Sequence, residues 1–173
     1  MLDRNDPQFI KLITRSIPLE RLEHRLSPGG SQAESSGVED SFWDYSEQGF
    51  LGVDESLLDI VHADWSVVEK YGTTHREIAE LLTTAIKKYE VPNSEYTIKF
   101  IASSDGLQSC PWECKSQYSG NIIMVNHNLH QKSLIVVTEL HPHLISEHYF
   151  FEGRKTIYRA DPEILIPALN LIR

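Results

Sequence analysis

Apolar positions recur at helical spacing through residues 8–26, where QFIKLITRSIPLERLEHRL carries Phe9, Ile10, Leu12, Ile13, Ile17, Leu19, Leu22 and Leu26. Pro18 removes an amide donor inside this run and divides it into two short helices. The next stretch, SPGGSQAESSGVE at 27–39, has almost nothing to bury and reads as a flexible linker. The pattern thus predicts an N-terminal helical arm at 1–26, a linker at 27–41 and a single α+β domain at 42–173 that opens near Phe42 and Trp43. The regular apolar face of the arm favours packing on its own domain. The alternative is a docking peptide for another protein.

Helical spacing returns at Leu57, Val61, Trp65 and Val68, predicting a helix over 55–71 with Asp54 as N-cap and Gly72 as C-terminal cap. Thr74 and Glu77 have capping-box spacing. They open a second helix that buries Ile78, Leu82, Ala85, Ile86 and Tyr89 and stops before Pro92. The period then falls to two in YTIKFIA, residues 96–102, as a half-buried strand requires. Gly120–Asn126 and Lys132–Glu139 are β-branched runs separated by HNLHQ, a hairpin pattern. LISEHYFFEG reads as a short helix closed by Gly153, Arg154–Ala160 as one more strand, and PEILIPALNLI as a helix entered through Asp161 and Pro162 and interrupted at Pro167. The expected architecture is α+β: a three- or four-stranded antiparallel sheet against a helical pair and a C-terminal helix.

Composition adds boundaries. Hydrophobic residues at 40% and charged ones at 24% of 173 residues are ordinary globular usage for one core. No apolar run approaches the roughly 20 residues that cross a bilayer, and the N-terminus lacks the continuous apolar segment of a secretory signal. The expectation is a soluble cytoplasmic protein with no membrane partner. The formal net charge of -9, from 25 acidic and 16 basic residues, repels phosphate backbones and argues against nucleic acid. GTTHREIAELL at 72–82 resembles part of a helix-turn-helix. The preceding helix, however, carries Asp54, Glu55, Asp59 and Asp64 where phosphates demand cations, so a core-forming helical pair is the reading. A protein partner or a homodimer is compatible with the sequence, which leaves any small-molecule ligand unknown.

The candidate chemistry is concentrated. Both cysteines and five of the eight histidines lie between Cys110 and His148, in CPWEC, a predicted hairpin and HPHLISEH. Zinc takes thiolate and imidazole ligands, commonly two from each of two short segments. Cys110 and Cys114 form one pair; His143 and His148 form the other. Residues 115–142 between them have the length of a hairpin, which returns the chain near its start. If 143–148 is helical, the two histidines point about 140° apart, so His141 is a candidate substitute. In an extended HPH segment, His141 and His143 project to one side. The candidate ligand set is therefore Cys110, Cys114, His141, His143 and His148, with zinc as the metal and a mainly structural role. The plain alternative is a pair of buried thiols with hydrogen-bonded histidines.

A catalytic reading uses the same stretch. Glu139, His141 and His143 alternate if extended, and His143 and Glu147 lie one turn apart if helical. A neighbouring carboxylate raises imidazole basicity, a histidine lowers a thiol pKa, and Arg154 and Arg159 could hold an anion. That combination describes a metal- or thiol-dependent hydrolase, although no nucleophile elbow, phosphate loop or cofactor fingerprint accompanies it. Trp112, Tyr149, Phe150 and Phe151 are expected in the core, and His127 and His130 at a solvated hairpin tip. His24, His62 and His75 sit on amphipathic segments with no assigned role.

Overall fold

The computed structural model describes residues 3–29, 49–89, 96–102, 107–127 and 134–171. Most of the expected linker, the opening at Phe42 and Trp43, Pro92 and the hairpin tip at 128–133 lie outside the described residues.

The N-terminal run folds as α1 (Pro7–Thr14) and α2 (Leu19–Leu26), parted at Pro18 as its missing amide dictates. Asp6 caps α1 by accepting from the Gln8 amide. Next come α3 (Leu57–Lys70) and α4 (His75–Lys88). The capping box forms: the Thr74 side chain accepts from the Glu77 amide while the Glu77 carboxylate accepts from the Thr74 amide. Gly72 takes the left-handed conformation that ends α3. Asp54 is not the N-cap of α3. It sits at φ +64°, and Ser56 occupies the cap position without a side-chain bond. The Leu57 amide is instead satisfied by Glu23 Oε1 at 2.8 Å, so α2 caps α3 from outside. Tyr89, expected inside, remains 48% exposed as the left-handed residue that closes α4.

The fold is α+β, as expected. Strand β1 (Tyr96–Ala102) pairs antiparallel with β4 (Ile122–His127), which pairs antiparallel with β5 (Leu134–Thr138). Ile98, Ile123, Val125, Ile135 and Val137 alternate onto one buried face, against Ile78, Leu82 and Ile86 of α4. Two short strands, β2 (Leu107–Ser109) and β3 (Gln117–Ser119), form a separate two-stranded ribbon around CPWEC, where only a loop was expected. Helices α5 (His141–His148) and α6 (Pro162–Ala168) complete the chain, α6 capped by Asp161 with Pro162 in its first turn.

Two expectations near the C-terminus change. Residues 154–160 form turns and no strand. Their Arg159 points inward to a bidentate pair with Asp64 of α3, at 2.6 and 3.0 Å, and a ladder has no room for that arrangement. Helix α5 is closed by Tyr149 at φ +59°, with the Phe150 amide donating to the Leu144 carbonyl at 3.1 Å, rather than by Gly153. Gly153 serves close approach: a Cβ there would stand 2.2 Å from Glu55 Oε2.

Among the described residues, the buried apolar side chains form two clusters. One lies between the sheet, α4 and α6. The other joins Phe9, Ile13, Leu22 and Leu26 of the N-terminal helices to Leu57 and Val61 of α3, to Cys110 and Trp112, and to Leu144 and Phe150. The functional candidates sit at the edge of the second.

Candidate metal centre

CPWEC is folded by its own sequence. Pro111 occupies the second position of a tight turn in which the Glu113 amide donates to the Cys110 carbonyl at 3.0 Å. Glu113 then takes φ +60°, a left-handed conformation that swings Cys114 back beside Cys110. Its carboxylate is held by Arg25 Nη2 of α2 at 2.6 Å. The cysteines are free thiols, with Cys110 buried and Cys114 half-buried.

The opposite wall is α5. Helix formation from His141 overturns the extended HPH segment, because proline in the first turn lacks only an amide that has no intrahelical acceptor anyway. His143 and His148 nevertheless converge. Helical side chains lean toward the N-terminus, so the His148 ring reaches back to lie 5.1 Å from the His143 ring, edge to face. Long side chains thereby close the angular gap that helical spacing alone leaves open.

Donor atoms of Cys110, Cys114, His143 and His148 all lie within 4.8 Å of one another. Cys110 Sγ is 3.1 Å and Cys114 Sγ 3.4 Å from His148 Nε2. Tetrahedral zinc with two sulfur and two nitrogen ligands has ligand-ligand edges of about 3.3–3.8 Å, so the two measured edges fit after shifts of a few tenths of an ångström. The His143 Nε2 and His148 Nδ1 atoms are buried without a hydrogen-bond partner. These four residues could hold a metal ion.

His141 is placed elsewhere. Its Nδ1 accepts from the Thr138 amide at 2.9 Å, and its Nε2 lies 2.7 Å from the Tyr158 carbonyl, an atom that only accepts. Nε2 must therefore carry the proton, shared with Glu152 Oε1 at 3.2 Å. Both ring nitrogens are engaged and neither offers a free lone pair. The sequence alone could not exclude His141, because its partners come from segments 138, 152 and 158.

Burial sets the electrostatics. The Cys110 thiol is pushed up to about 12 by desolvation, reinforced by the adjacent Cys114. His148 falls to about 3, first through burial and then through His143 and Arg15; His143 is lowered mainly by burial. The pocket favours neutral imidazoles with available lone pairs and a neutral Cys110 thiol, and a cation held there would supply the charge that compensates loss of the thiol proton.

Three neighbours shape the centre. The Trp112 indole stacks on His148 at 4.2 Å and 11°, and its Nε1–H donates to the Ile13 carbonyl of α1 at 2.8 Å. Tyr118 tilts over His143 at 5.1 Å. Arg15 Nη2 donates to the Glu147 carbonyl at 2.8 Å and to its carboxylate at 2.9 Å. A cleft of about 1050 Å³ between α4 and α5 reaches the His143 side, lined also by Tyr118, Glu139, Ser146, Glu147 and Lys87. Glu139 accepts from the Asn121 amide group at 2.8 Å. Arg159 is committed to Asp64 and to the Glu152 carbonyl, so it cannot serve as an anion clamp. Sequence spacing did not signal Arg15 and Arg25 as parts of this site, because they lie at the end of α1 and in α2, far before it in the chain.

No family model matches the chain, and neither curated proteins nor solved structures give a significant match. Among the described residues no helix is long and apolar enough to cross a membrane.

Proposed function

We propose that this chain is a binding or regulatory protein whose Cys110, Cys114, His143 and His148 hold a zinc ion in a mainly structural role. The mutual approach of the four donor atoms, all within 4.8 Å, carries this reading. Two sulfur and two imidazole donors are the set that zinc prefers, and four protein ligands leave no position for a reacting water. The protein is proposed to work in the cytoplasm, with a protein partner or a second copy of itself as the binding target. Neither nucleic acid nor membrane is a proposed partner.

Metal analysis of the purified chain together with Cys110→Ser tests the assignment. About one equivalent of zinc, lost in the variant along with thermal stability, is the expected result. Less than about a tenth of an equivalent, with the variant as stable as the parent, would reject it.

The cleft beside His143 supports a second reading, a metal-dependent hydrolase in which Glu139 or Glu147 acts as base. It requires one of the four ligands to give way to water. Spectroscopy of the cobalt-substituted protein separates the two: a four-coordinate S2N2 spectrum with no bound water supports the structural role, and a water ligand supports the hydrolase.

A further inference from the structure

We propose that metal occupancy of the Cys/His centre latches the C-terminal end of helix α1 onto the body of the protein, and that loss of the metal releases that end while leaving the rest folded. This inference rests on the metal reading above and adds a regulated element to it.

Two polar contacts hold the C-terminal end of α1, and each sits beside proposed ligands. Trp112 lies in the turn between the two thiols, stacks on the His148 ring and donates to the Ile13 carbonyl. Arg15, the residue that closes α1, grips both the main chain and the carboxylate of Glu147, the residue immediately before His148. The turn and α5 are separate segments, and the cysteines are not joined by a disulfide. A metal bonded to both segments fixes the distance between Trp112 and Glu147, and so the spacing of the two grips. Without it, the turn keeps its own Glu113-to-Cys110 bond, the flanking β2–β3 ribbon and the Arg25–Glu113 pair, but packing alone ties it to α5.

Helix α2 is anchored differently. Glu23 accepts from the Leu57 amide, and the Leu26 carbonyl accepts from the amides of Phe50 and Leu51 at 2.6 and 2.8 Å. None of these contacts touches the centre, and they hold α2 whether or not its Arg25 keeps Glu113 of the turn. The release is therefore local to the C-terminal end of α1 and uncovers Ile13, which is fully buried in the latched form, while Phe9 against His62 and Trp65 and the Arg4–Asp59 pair keep the other end on α3. Linkage makes the effect reciprocal: the factor by which bound metal strengthens α1 docking is the factor by which α1 docking strengthens metal binding.

The test uses the full chain with zinc alone as the probe. Hydrogen exchange is followed segment by segment before and after a chelator, and bound zinc is measured in the same samples. Exchange in α1 should accelerate by about tenfold or more on zinc removal, with α3 and β4 changing less than about threefold. Stoichiometric zinc with unchanged α1 exchange, or with equal acceleration everywhere, would overturn the latch while sparing the metal site. Absence of bound zinc would overturn both.

Trp112→Phe provides the reciprocal arm, since it keeps a ring against His148 and removes the donor to Ile13. Its zinc affinity should drop and its α1 exchange in the loaded state should rise by the same factor. Unchanged affinity and exchange would contradict the latch.

Discussion

Trp112 and His148 are stacked face to face, 4.2 Å between ring centroids and 11° from parallel, although they come from a turn and from the last residue of a helix. The indole fixes the plane of the imidazole, and its own position is fixed by the Ile13 carbonyl and by Phe150 at 5.6 Å. Truncation to alanine removes a large buried ring and should cost about 3–5 kcal/mol, measured by denaturant unfolding. Phenylalanine keeps most of the apolar contact and should cost about 1–2 kcal/mol, mainly for the Ile13 carbonyl left unpaired. Equal losses in both variants would show that ring volume is not what matters here.

The two histidines at the start of α5 have separable roles. On the proposed assignment, zinc binding worth about 10–16 kcal/mol over four ligands means that His143→Ala should weaken affinity by about two orders of magnitude or more. His141→Gln leaves the four donors untouched, so zinc content should stay unchanged while thermal stability falls. Its ring bridges Thr138, Tyr158 and Glu152 in the interior, and the amide cannot reproduce that span. Competition with a chromophoric chelator and a melting curve on each variant give both readings. Loss of zinc in His141→Gln would bring that residue back into the ligand set.

Acid sensitivity should trace in part to His75. Burial among Trp65, Tyr149 and Phe151 lowers its pKa from 6.5 to about 4, and its Nε2 has no hydrogen-bond partner. Below pH 6.5 the unfolded chain takes up a proton that the folded chain refuses until about pH 4. The stability this neutral ring contributes is therefore complete above pH 6.5 and is lost as pH falls, by up to about 3 kcal/mol at the lower limit. His75→Phe should flatten the unfolding free energy between those pH values relative to the parent. An unchanged slope would place the proton uptake on other groups.

The Asp64–Arg159 pair is a second buried polar commitment. Burial raises the Asp64 carboxyl and the guanidinium opposes that rise, the pair being held by two hydrogen bonds. Removing one member strands the other, so Asp64→Ala should cost about 3–5 kcal/mol. The double variant Asp64→Leu, Arg159→Met should recover much of that loss. A double-mutant cycle by thermal denaturation measures the coupling, and strict additivity would argue against it.

How much of this was legible in the chain depends on the range of the interaction. Local chemistry was readable: Pro18 split the first helices, Thr74 and Glu77 formed their reciprocal cap, alternation marked β1, and β-branched runs marked β4 and β5. The thiol pair and the histidine pair were visible as spacings, and the ribbon around CPWEC and the hairpin bring them together as their order suggested. What could not be read were partners distant in sequence. Nothing near Leu57 announces that Glu23 will cap it, nothing near Arg159 announces Asp64, and nothing in HPH reveals that Tyr158 and Glu152 saturate His141. The missed strands β2 and β3 are three residues each, too short for a period of two to register.

The bond from Trp112 to Ile13 spans 99 positions, and the grip of Arg15 on Glu147 spans 132. During synthesis Phe9 can meet His62 and Trp65 as soon as α3 is made, whereas Ile13 must wait for Trp112 and Arg15 for Glu147. The C-terminal end of α1 is thus seated only once both of those distant segments have joined the chain.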